Sequence, residues 1–417
     1  MTPNSQDGLQ WDDTGLQLVP LWTREPSLRA IEAVCRQQRR IAPEEVCAVS
    51  FYASGAFNKL YLVSSGLSDK FLMRVSLPVY PQYKTRGEVA TLQWVRENTN
   101  IPVPNIIAFL ASSDNEIGFE WILMELMPGV PAYRRWRNMS MEQKIVFTER
   151  IADFQAQLSA RPGARFNSIG ALRPDDLVPD RVVSHEFFMC DHVHYDVPRG
   201  PFSSSHAWLS SELQIVIQAQ TAAAEKAEDE DDKEDALDIL SAARKLLSLL
   251  PKIFPPFADA EPTALWHDDL NLNNILVDES GAITGVVDWE CVSALPLWMA
   301  ARPPEFLSGG GREEEPRRSD YADADPEIAV AGCDGLDNEG KNELYWILLM
   351  QYEVTQLQKV YDAKLAVLWP NHSLEESALK VDFYEAVLQC IAGIWLKKVN
   401  KWVDCIDRGE IVRWGNL

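Results

Sequence analysis

Short hydrophobic runs and helical spacings alternate over the first part of the chain. Apolar side chains three and four residues apart predict one helix between Leu28 and Cys35 and a second between Lys84 and Glu97. Five β-rich runs, separated by polar or proline-containing turns, predict strands of a small antiparallel β-sheet. These runs are Val46–Tyr52, Leu60–Val63, Phe71–Val75, Ile106–Phe109 and Trp121–Leu126.

Beyond Pro128 the pattern becomes helical. Ser140 and Gln143 form a capping-box sequence that predicts a helix start, and a run of leucines predicts a helix that stops at Pro251. Two C-terminal stretches also follow the helical period, Leu344–Val360 and Ser373–Val399. One β-hairpin interrupts these helices, with strands Ile275–Val277 and Ile283–Val287.

The order of these elements predicts an α+β fold with two lobes. Residues 1–126 would form an N-terminal lobe, a small antiparallel β-sheet with one helix, and residues 127–417 a larger, mainly helical C-terminal lobe. Two segments of the second lobe resemble insertions: the acidic run Glu225–Asp238, and Ser308–Pro326, which combines three glycines with charges. We expect both to be solvated or disordered.

Composition and charge limit the classes of molecule that the protein is expected to bind. With 46% hydrophobic and 24% charged residues, the 417-residue chain has ordinary globular usage. Its 62 acidic and 39 basic side chains give a formal net charge of −23, which argues against duplex nucleic acid or an anionic membrane as the main partner. No apolar run approaches the roughly 20 residues that a membrane helix needs. Because the chain starts without an export signal and its seven cysteines include no CxxC pair, we expect a cytoplasmic protein.

The strongest chemical signal comes from residues around the predicted hairpin. Asp269 and Asn274 have the spacing D-L-x-x-x-N of a kinase catalytic loop, in which the aspartate orients a hydroxyl nucleophile and the asparagine binds a metal. The hairpin would return Asp288, at the end of its second strand, to the side of Asn274. Both could then reach one Mg²⁺ ion, which prefers oxygen ligands. The other interpretation is a polar turn before a buried hairpin.

These motifs resemble those of the aminoglycoside phosphotransferase and choline kinase superfamily, protein-kinase-like enzymes that phosphorylate small molecules. The family signature H-G-D-L-H-x-x-N-I-L-V, followed by I-D-W-E, is matched at His267, Asp269, Leu270, Asn274–Val277 and Asp288–Glu290. The Asp-Trp-Glu motif in place of Asp-Phe-Gly argues against a protein kinase. Three further segments resemble the largely uncharacterised fungal branch of this family, Ala56–Tyr61, Ile101–Pro104 and Gly118–Glu125.

The resemblance implies a bilobal protein-kinase-like fold, ATP and Mg²⁺ as cofactors, and roles for several residues. Asp269 would be the catalytic base or would position the acceptor hydroxyl. Asn274 and Asp288 would hold magnesium. Backbone groups of Glu125 and Met127, in the connection between the lobes, would pair with adenine.

Three other residues of the implied nucleotide site have alternative interpretations. Gly55 lies in the loop that would cover the phosphates, but one glycine between two strands is equally typical of a plain hairpin turn. Arg74 stands where the kinase pattern has lysine and would pair with phosphate, or it is an ordinary surface arginine. Glu88 would pair with Arg74, or it would complete a capping box with Thr85.

We therefore expect ATP-dependent phosphorylation of a hydroxyl group on a small molecule, with a secondary metabolite as one candidate. The alternatives are an aminoglycoside-type antibiotic phosphotransferase and a catalytically inactive nucleotide-binding scaffold, which Arg74 and the glycine-poor loop favour. Four histidines lie between His185 and His206. Cys190, His192 and His194 in this stretch could bind a transition metal, but the spacing matches no zinc pattern, and a substrate-shaping role fits the stretch better. The sequence indicates no oligomeric state.

Overall fold

The computed structural model describes residues 6–13, 18–66, 69–160, 162–256, 259–300, 302–323, 339–370 and 374–417. The strands, numbered along the chain, are β1 Leu9–Asp12, β2 Val19–Trp22, β3 Cys47–Ser54, β4 Asn58–Ser65, β5 Asp69–Ser76, β6 Ile106–Leu110, β7 Glu120–Glu125, β8 Val130–Pro131, β9 Thr263–Trp266, β10 Ile275–Val277, β11 Ile283–Val286 and β12 Ser293–Pro296. The helices are α1 Leu28–Arg39, α2 Tyr83–Asn98, α3 Ala132–Trp136, α4 Met141–Ser159, α5 His185–Phe188, α6 Ser205–Lys226, α7 Glu230–Ile253, α8 Leu297–Ala300, α9 Glu343–Leu368, α10 Leu374–Ile391 and α11 Leu396–Asp407.

The predicted α+β fold is confirmed, and its sheet contains the five predicted strands. They are antiparallel neighbours in the order β3-β4-β5-β7-β6. Successive side chains of a strand point to opposite faces. In β5, Met73 and Val75 therefore pack into the core beneath α1, while Leu72 and Arg74 face α2. A charged side chain thus lies on the sheet face that meets the rest of the protein.

Helix α2 joins this sheet to the helical part of the chain. On one side Val89 packs against Ile122 and Met124 of β7. On the other side Trp94 belongs to the large core around α4 and α9, with its ring centroid 5.6 Å from that of Phe166. Because α2 is buried on two sides, a charged side chain that it directs inward needs a partner inside the protein.

The helical part has two groups of helices, and the predicted hairpin, β10 and β11, packs into the core of the first. Helix α4 packs against α9 and β9 in the first group, and α6, α7, α10 and α11 form a bundle in the second. Strand β10 also pairs with β8, and β9 pairs with β12. The sequence did not predict β8, β9 or β12, which are short and, unlike β10 and β11, are not joined to their partner strands by a turn sequence.

Local sequence signals explain several helix ends. The predicted capping box at the start of α4 is confirmed, with the Ser140 side chain and the Gln143 side chain each bonded to the other's backbone N–H. The single helix predicted over Ser373–Val399 is instead two helices, since the chain turns at Gly393 with a φ of +68°. Among the described residues, no helix combines the length and the apolar character that crossing a membrane would require.

The acidic run 225–238, which we expected to be solvated or disordered, is solvated but not disordered. Its side chains are mostly exposed, but they form the end of α6 and the start of α7. Asp229 caps α7 by accepting a hydrogen bond from the N–H of Asp231 at 2.7 Å, and acidic side chains in the first turn are favoured by the helix dipole. The second predicted insertion packs along α9 over its described residues 308–323, with the N–H of Gly311 donating to the Thr355 hydroxyl at 2.9 Å. Its last three residues, 324–326, lie outside the described part.

Candidate active site

A cavity of about 280 Å³ lies where the five-stranded sheet meets β10 and the end of β11. Its apolar wall includes Leu60, Leu72 and Met124 from the sheet and Leu276 from β10. An apolar wall facing a few charged and amide groups is the usual composition of a ligand pocket. Six of the residues predicted for a nucleotide and metal site line it: Arg74, Glu88, Glu125, Met127, Asn274 and Asp288.

The loop between β9 and β10 holds Asp269 by both carboxylate oxygens. The side-chain amide of Asn271 donates to Oδ1 at 2.7 Å, and that of Asn274 donates to Oδ2 at 2.9 Å. Asn271 also accepts the N–H of Asn273 at 2.8 Å, which closes a tight turn. Asp269 is exposed, so its carboxylate is fixed in orientation and still open to a ligand. The sequence analysis gave Asn271 no role.

His267 ties this loop to the end of β11. The ring is buried, lies 4.8 Å from the ring of Trp289, and its Nε2 is 3.1 Å from the carbonyl oxygen of Val287. Burial lowers the pKa of His267, so the ring is neutral near pH 7 and carries its proton on Nε2, facing that carbonyl. The residue supports the loop from beneath.

Asp288 follows β11 at the point where the chain passes Asn274. The N–H of Val287 donates to the carbonyl oxygen of Asn274 at 2.9 Å, so the next residue lies beside the loop of Asp269 and Asn274, as the hairpin predicted. Asp288 has a φ of +63°, in the left-handed region that aspartate tolerates better than most residues. Such a backbone persists where surrounding contacts enforce it, which is common at functional sites.

Arg74 is buried and lies among three carboxylates. Its Nη2 is 2.8 Å from Asp288 Oδ1 and 3.0 Å from Glu290 Oε2, and its Nε is 3.3 Å from Glu88 Oε2. The contact with Glu88 is close enough for an ion pair, but its angle is too poor for a hydrogen bond. With 7% of its side chain exposed, Arg74 is not a surface arginine.

Glu88 lies on the second turn of α2, facing Arg74. The helix begins at Tyr83 with Gln82 as its N-cap, so Thr85 is inside the helix and the capping-box alternative for Glu88 does not hold. Burial raises the pKa of Glu88 to about 7, although Arg74 opposes that shift.

Three residues that the sequence analysis gave no role complete this cluster. Lys84 Nζ is 2.5 Å from Glu290 Oε2 and 2.9 Å from Asn58 Oδ1, and the Asn58 amide donates to Glu290 at 2.7 Å. Burial acts to raise the pKa of Glu290, but the positive charges of Lys84 and Arg74 outweigh it and lower the pKa to about 2. Glu290 is therefore ionised at all physiological pH values.

Comparison with known proteins identifies the family. Residues 48–299, more than half of the chain, match the model of the family described as APH, phosphotransferase enzyme family. The chain belongs to the phosphotransferase enzyme family.

Two fungal relatives and one solved structure illustrate the similarity. The chain is 25% identical over 305 residues to a subtelomeric hrmA-associated cluster protein of Aspergillus fumigatus, and the alignment covers 61% of this chain and 59% of that protein. It is 24% identical over 331 residues to clavilactone A biosynthesis cluster protein Y of Ampulloclitocybe clavipes, covering 77% and 68% of the two chains. The crystal structure of an aminoglycoside-3'-phosphotransferase of type VIII is 17% identical with a TM-score of 0.41, covering 88% and 100%.

Gly55 and the connection after β7 differ in their relation to the cavity: the connection lines it and Gly55 does not. Gly55 is exposed at the turn between β3 and β4, outside the cavity lining. The N–H of Glu125 donates to the carbonyl oxygen of Asn105 at 2.9 Å, so it is already used. The N–H of Met127 makes no hydrogen bond within the described part of the chain. Of the two residues predicted to pair with adenine, Met127 is thus the one whose N–H is open to a ligand.

The histidine stretch packs against the turn that follows Gly55. The ring of Phe57 lies 5.3 Å from the ring of His185 and 5.5 Å from that of Phe188, so α5 covers the base of the β3–β4 turn. His192 Nδ1 is 2.7 Å from the carbonyl oxygen of Glu186, and burial lowers the pKa of His192. Within the described residues, which include all of this stretch, no three His, Cys, Asp or Glu side chains come together to hold a metal ion.

Proposed function

We propose that this phosphotransferase transfers the terminal phosphoryl group of ATP to a hydroxyl group of a small molecule. The observation that carries the proposal is a single cavity lined by Arg74, Glu88, Asn274 and Asp288, with Asp269 joined to Asn274 by a hydrogen bond of 2.9 Å. Phosphoryl transfer needs oriented charges rather than covalent chemistry from the protein. The apolar wall suits a nucleobase and the charged end suits phosphates.

In this proposal the acceptor oxygen attacks the terminal phosphorus of ATP, the bond to the bridging oxygen breaks, and ADP leaves. Asp269 orients the acceptor hydroxyl and takes its proton. Asn271 and Asn274 support this role because their amides fix both oxygens of the carboxylate. Arg74, deep in the cavity, would contact the phosphates of the nucleotide.

Asn274 and Asp288 fit the demands of magnesium, which prefers oxygen ligands and completes its shell with water and phosphate oxygens. No three His, Cys, Asp or Glu side chains are placed to hold a metal ion among the described residues. The pair therefore suits an ion that arrives with the nucleotide. When bound, the ion would neutralise negative charge on the phosphates.

The connection after β7 would receive the adenine. We propose the free N–H of Met127 as the donor to the base and leave to Glu125 only its carbonyl oxygen, since its N–H is bonded to Asn105. This connection also contains the proposed boundary between lobes 1–126 and 127–417. A biosynthetic cluster in the name of the Ampulloclitocybe relative supports a secondary metabolite as the acceptor.

A nucleotide-binding scaffold without turnover is the second candidate. The observation in its favour is the ion pair between Arg74 Nη2 and Asp288 Oδ1 at 2.8 Å, because it engages an oxygen that magnesium would need. A protein that keeps this ion pair with nucleotide bound would bind ATP without activating it.

The test is a screen for phosphorylated products. Purified protein is incubated with Mg-ATP and a library of fungal metabolites and aminoglycosides, and mass spectrometry looks for the gain of one phosphate. We expect a product with wild type and none with Asp269→Asn. Nucleotide binding without any product, including free phosphate from slow hydrolysis, would favour the scaffold. A wild-type protein that binds no Mg-nucleotide would overturn both.

A further inference from the structure

Lys84 is a second buried cation of the cluster, and the proposed function assigns it no task. It lies in the first turn of α2, 2% of its side chain is exposed, and it is not part of the cavity lining. Its ammonium group contacts Glu290 Oε2 at 2.5 Å and Asn58 Oδ1 at 2.9 Å. A bound nucleotide would therefore not touch it, and any influence on the site must pass through these partners.

One carboxylate oxygen connects Lys84 with Arg74. Glu290 Oε2 lies 2.5 Å from Lys84 Nζ and 3.0 Å from Arg74 Nη2. The same Arg74 nitrogen lies 2.8 Å from Asp288 Oδ1. Arg74 thus contacts two carboxylates: that of Glu290, which Lys84 also neutralises, and that of Asp288, which is proposed to hold magnesium.

Arg74 and Lys84 are two cations among three carboxylates, and without Lys84 the Arg74 guanidinium alone would face all three. The three carboxylates near the guanidinium differ in access to water, with 2% of the Glu88 side chain exposed, 15% of Glu290 and 34% of Asp288. A buried carboxylate that lacks a cation costs far more than one that water reaches. If Lys84 lost its charge, Arg74 would turn toward the two buried glutamates and away from Asp288.

Lys84 also reaches the loop that precedes β4. Asn58, the first residue of β4, accepts from Lys84 and from the hydroxyl of Ser76, which is 2.9 Å away, and its amide donates to Glu290. The start of α2, the base of the β3–β4 turn and the segment after Asp288 therefore meet at one ammonium group.

We propose that Lys84 is a positioning residue of the nucleotide site. By neutralising Glu290 it keeps Arg74 at the cavity rather than drawn toward the two glutamates, so that the guanidinium can pass from Asp288 to the phosphates when that carboxylate binds magnesium. By bonding Asn58 it holds the base of the β3–β4 turn against the cavity. This inference rests on the proposed function, because its consequence is an effect on Mg-nucleotide binding.

The experiment measures the affinity for Mg-ADP by calorimetry, at a temperature where circular dichroism shows each variant folded. We expect Lys84→Met to weaken Mg-ADP binding by about tenfold or more, the equivalent of one lost positioning interaction. The double variant Lys84→Met/Glu290→Gln removes the unpaired negative charge as well, so we expect its affinity to return to within about threefold of wild type.

Lys144 offers a matched control. It is also buried, and its Nζ lies 2.6 Å from Glu353 Oε1, but the pair joins α4 to α9 away from the cavity. We expect Lys144→Met to lower the melting temperature without changing the affinity for Mg-ADP.

Three results would overturn the inference: unchanged affinity in Lys84→Met, equal losses in Lys84→Met and Lys144→Met, or no recovery in the double variant. Each of these leaves wild-type binding intact. Failure of the proposed function is recognised separately, because the wild-type protein would then bind no Mg-ADP or form no phosphorylated product.

Discussion

Two buried lysine–glutamate pairs in this protein have the same chemistry and different surroundings. Lys84–Glu290 and Lys144–Glu353 have N–O distances of 2.5 and 2.6 Å, and the lysine side chains are 2% and 3% exposed. Lys144 lies over the ring of Trp136, 5.2 Å from its centroid, between two helices. Lys84 instead shares its glutamate with Arg74, which reaches the cavity.

The pKa shifts of Lys144 and Glu290 reflect the different surroundings of the two pairs. Burial lowers the pKa of Lys144, and Glu353 offsets only part of that effect. The pKa of Glu290 is lowered to about 2, because two cations outweigh its burial. An isolated buried ion pair therefore carries a desolvation penalty and affects the stability of the fold. A buried pair with a second cation can also determine the geometry of a neighbouring site. Burial of a charge alone does not indicate function.

We expect the largest effect from a substitution in the isolated pair, Lys144–Glu353. Lys144→Met should destabilise the protein by about 3 kcal/mol, because Glu353 would remain largely buried without a cation. Urea unfolding followed by tryptophan fluorescence measures the loss. Replacing both residues, as in Lys144→Met/Glu353→Leu, should recover most of it, since an apolar pair removes the buried charge. A double variant as unstable as the single one would mean that packing, not charge, explains the effect.

A buried carboxylate with no cation extends the comparison. Glu212 of α6 is 1% exposed, and neither of its oxygens has a hydrogen bond of good geometry among the described residues, although the indole N–H of Trp208 lies near. Burial, and then the charge of Glu186, raise the pKa of Glu212 well above its usual value of 4.5.

The folded state thus holds a proton that the unfolded state releases above about pH 4.5. The contribution of Glu212 is fully present below that pH and is lost as the pH rises toward its folded pKa, by at most about 1.4 kcal/mol per pH unit. Glu212→Gln imitates the protonated form, so its melting temperature should exceed that of wild type at about pH 8 and by less at about pH 5. Parallel melting curves across this range would contradict the assignment.

The smallest expected effect concerns the loop above the cluster. A Cβ built on Gly55 meets no atom within 4 Å, and the residue has no positive φ, so alanine fits its backbone. Gly55→Ala should change stability by less than about 0.5 kcal/mol and Mg-nucleotide affinity by less than about twofold. A large loss of affinity in calorimetry would mean that the loop approaches the phosphates closely, as the glycine of a nucleotide loop does.

Periodic and motif signals were reliable where neighbouring residues determine the structure. The five strands of the sheet, the β10–β11 hairpin and the capping box of α4 follow from alternation, turn residues and a three-residue spacing. The helical structure of the acidic run was not predicted, because charge alone does not distinguish a solvated loop from a helix start, where acidic side chains are favoured.

The residues of the candidate site also fall into two groups, those that a local motif predicted and those that only packing brings together. Asp269, Asn274 and Asp288 came from one short motif whose hairpin brings its two ends together. Whether Glu88 capped its own helix or faced Arg74 depended on where α2 begins, which the sequence did not indicate. Lys84 and Asn58 were missed, because they meet Glu290 across 206 and 232 residues of chain.

The sequence by itself determined the family, the α+β class and the residues of the catalytic motif, since each depends on a local pattern. The tertiary structure decided which charges are buried together. Which charges meet depends on how the sheet, α2 and the segment after Asp288 pack. A lysine and a glutamate far apart in sequence become partners only when folding removes water from both.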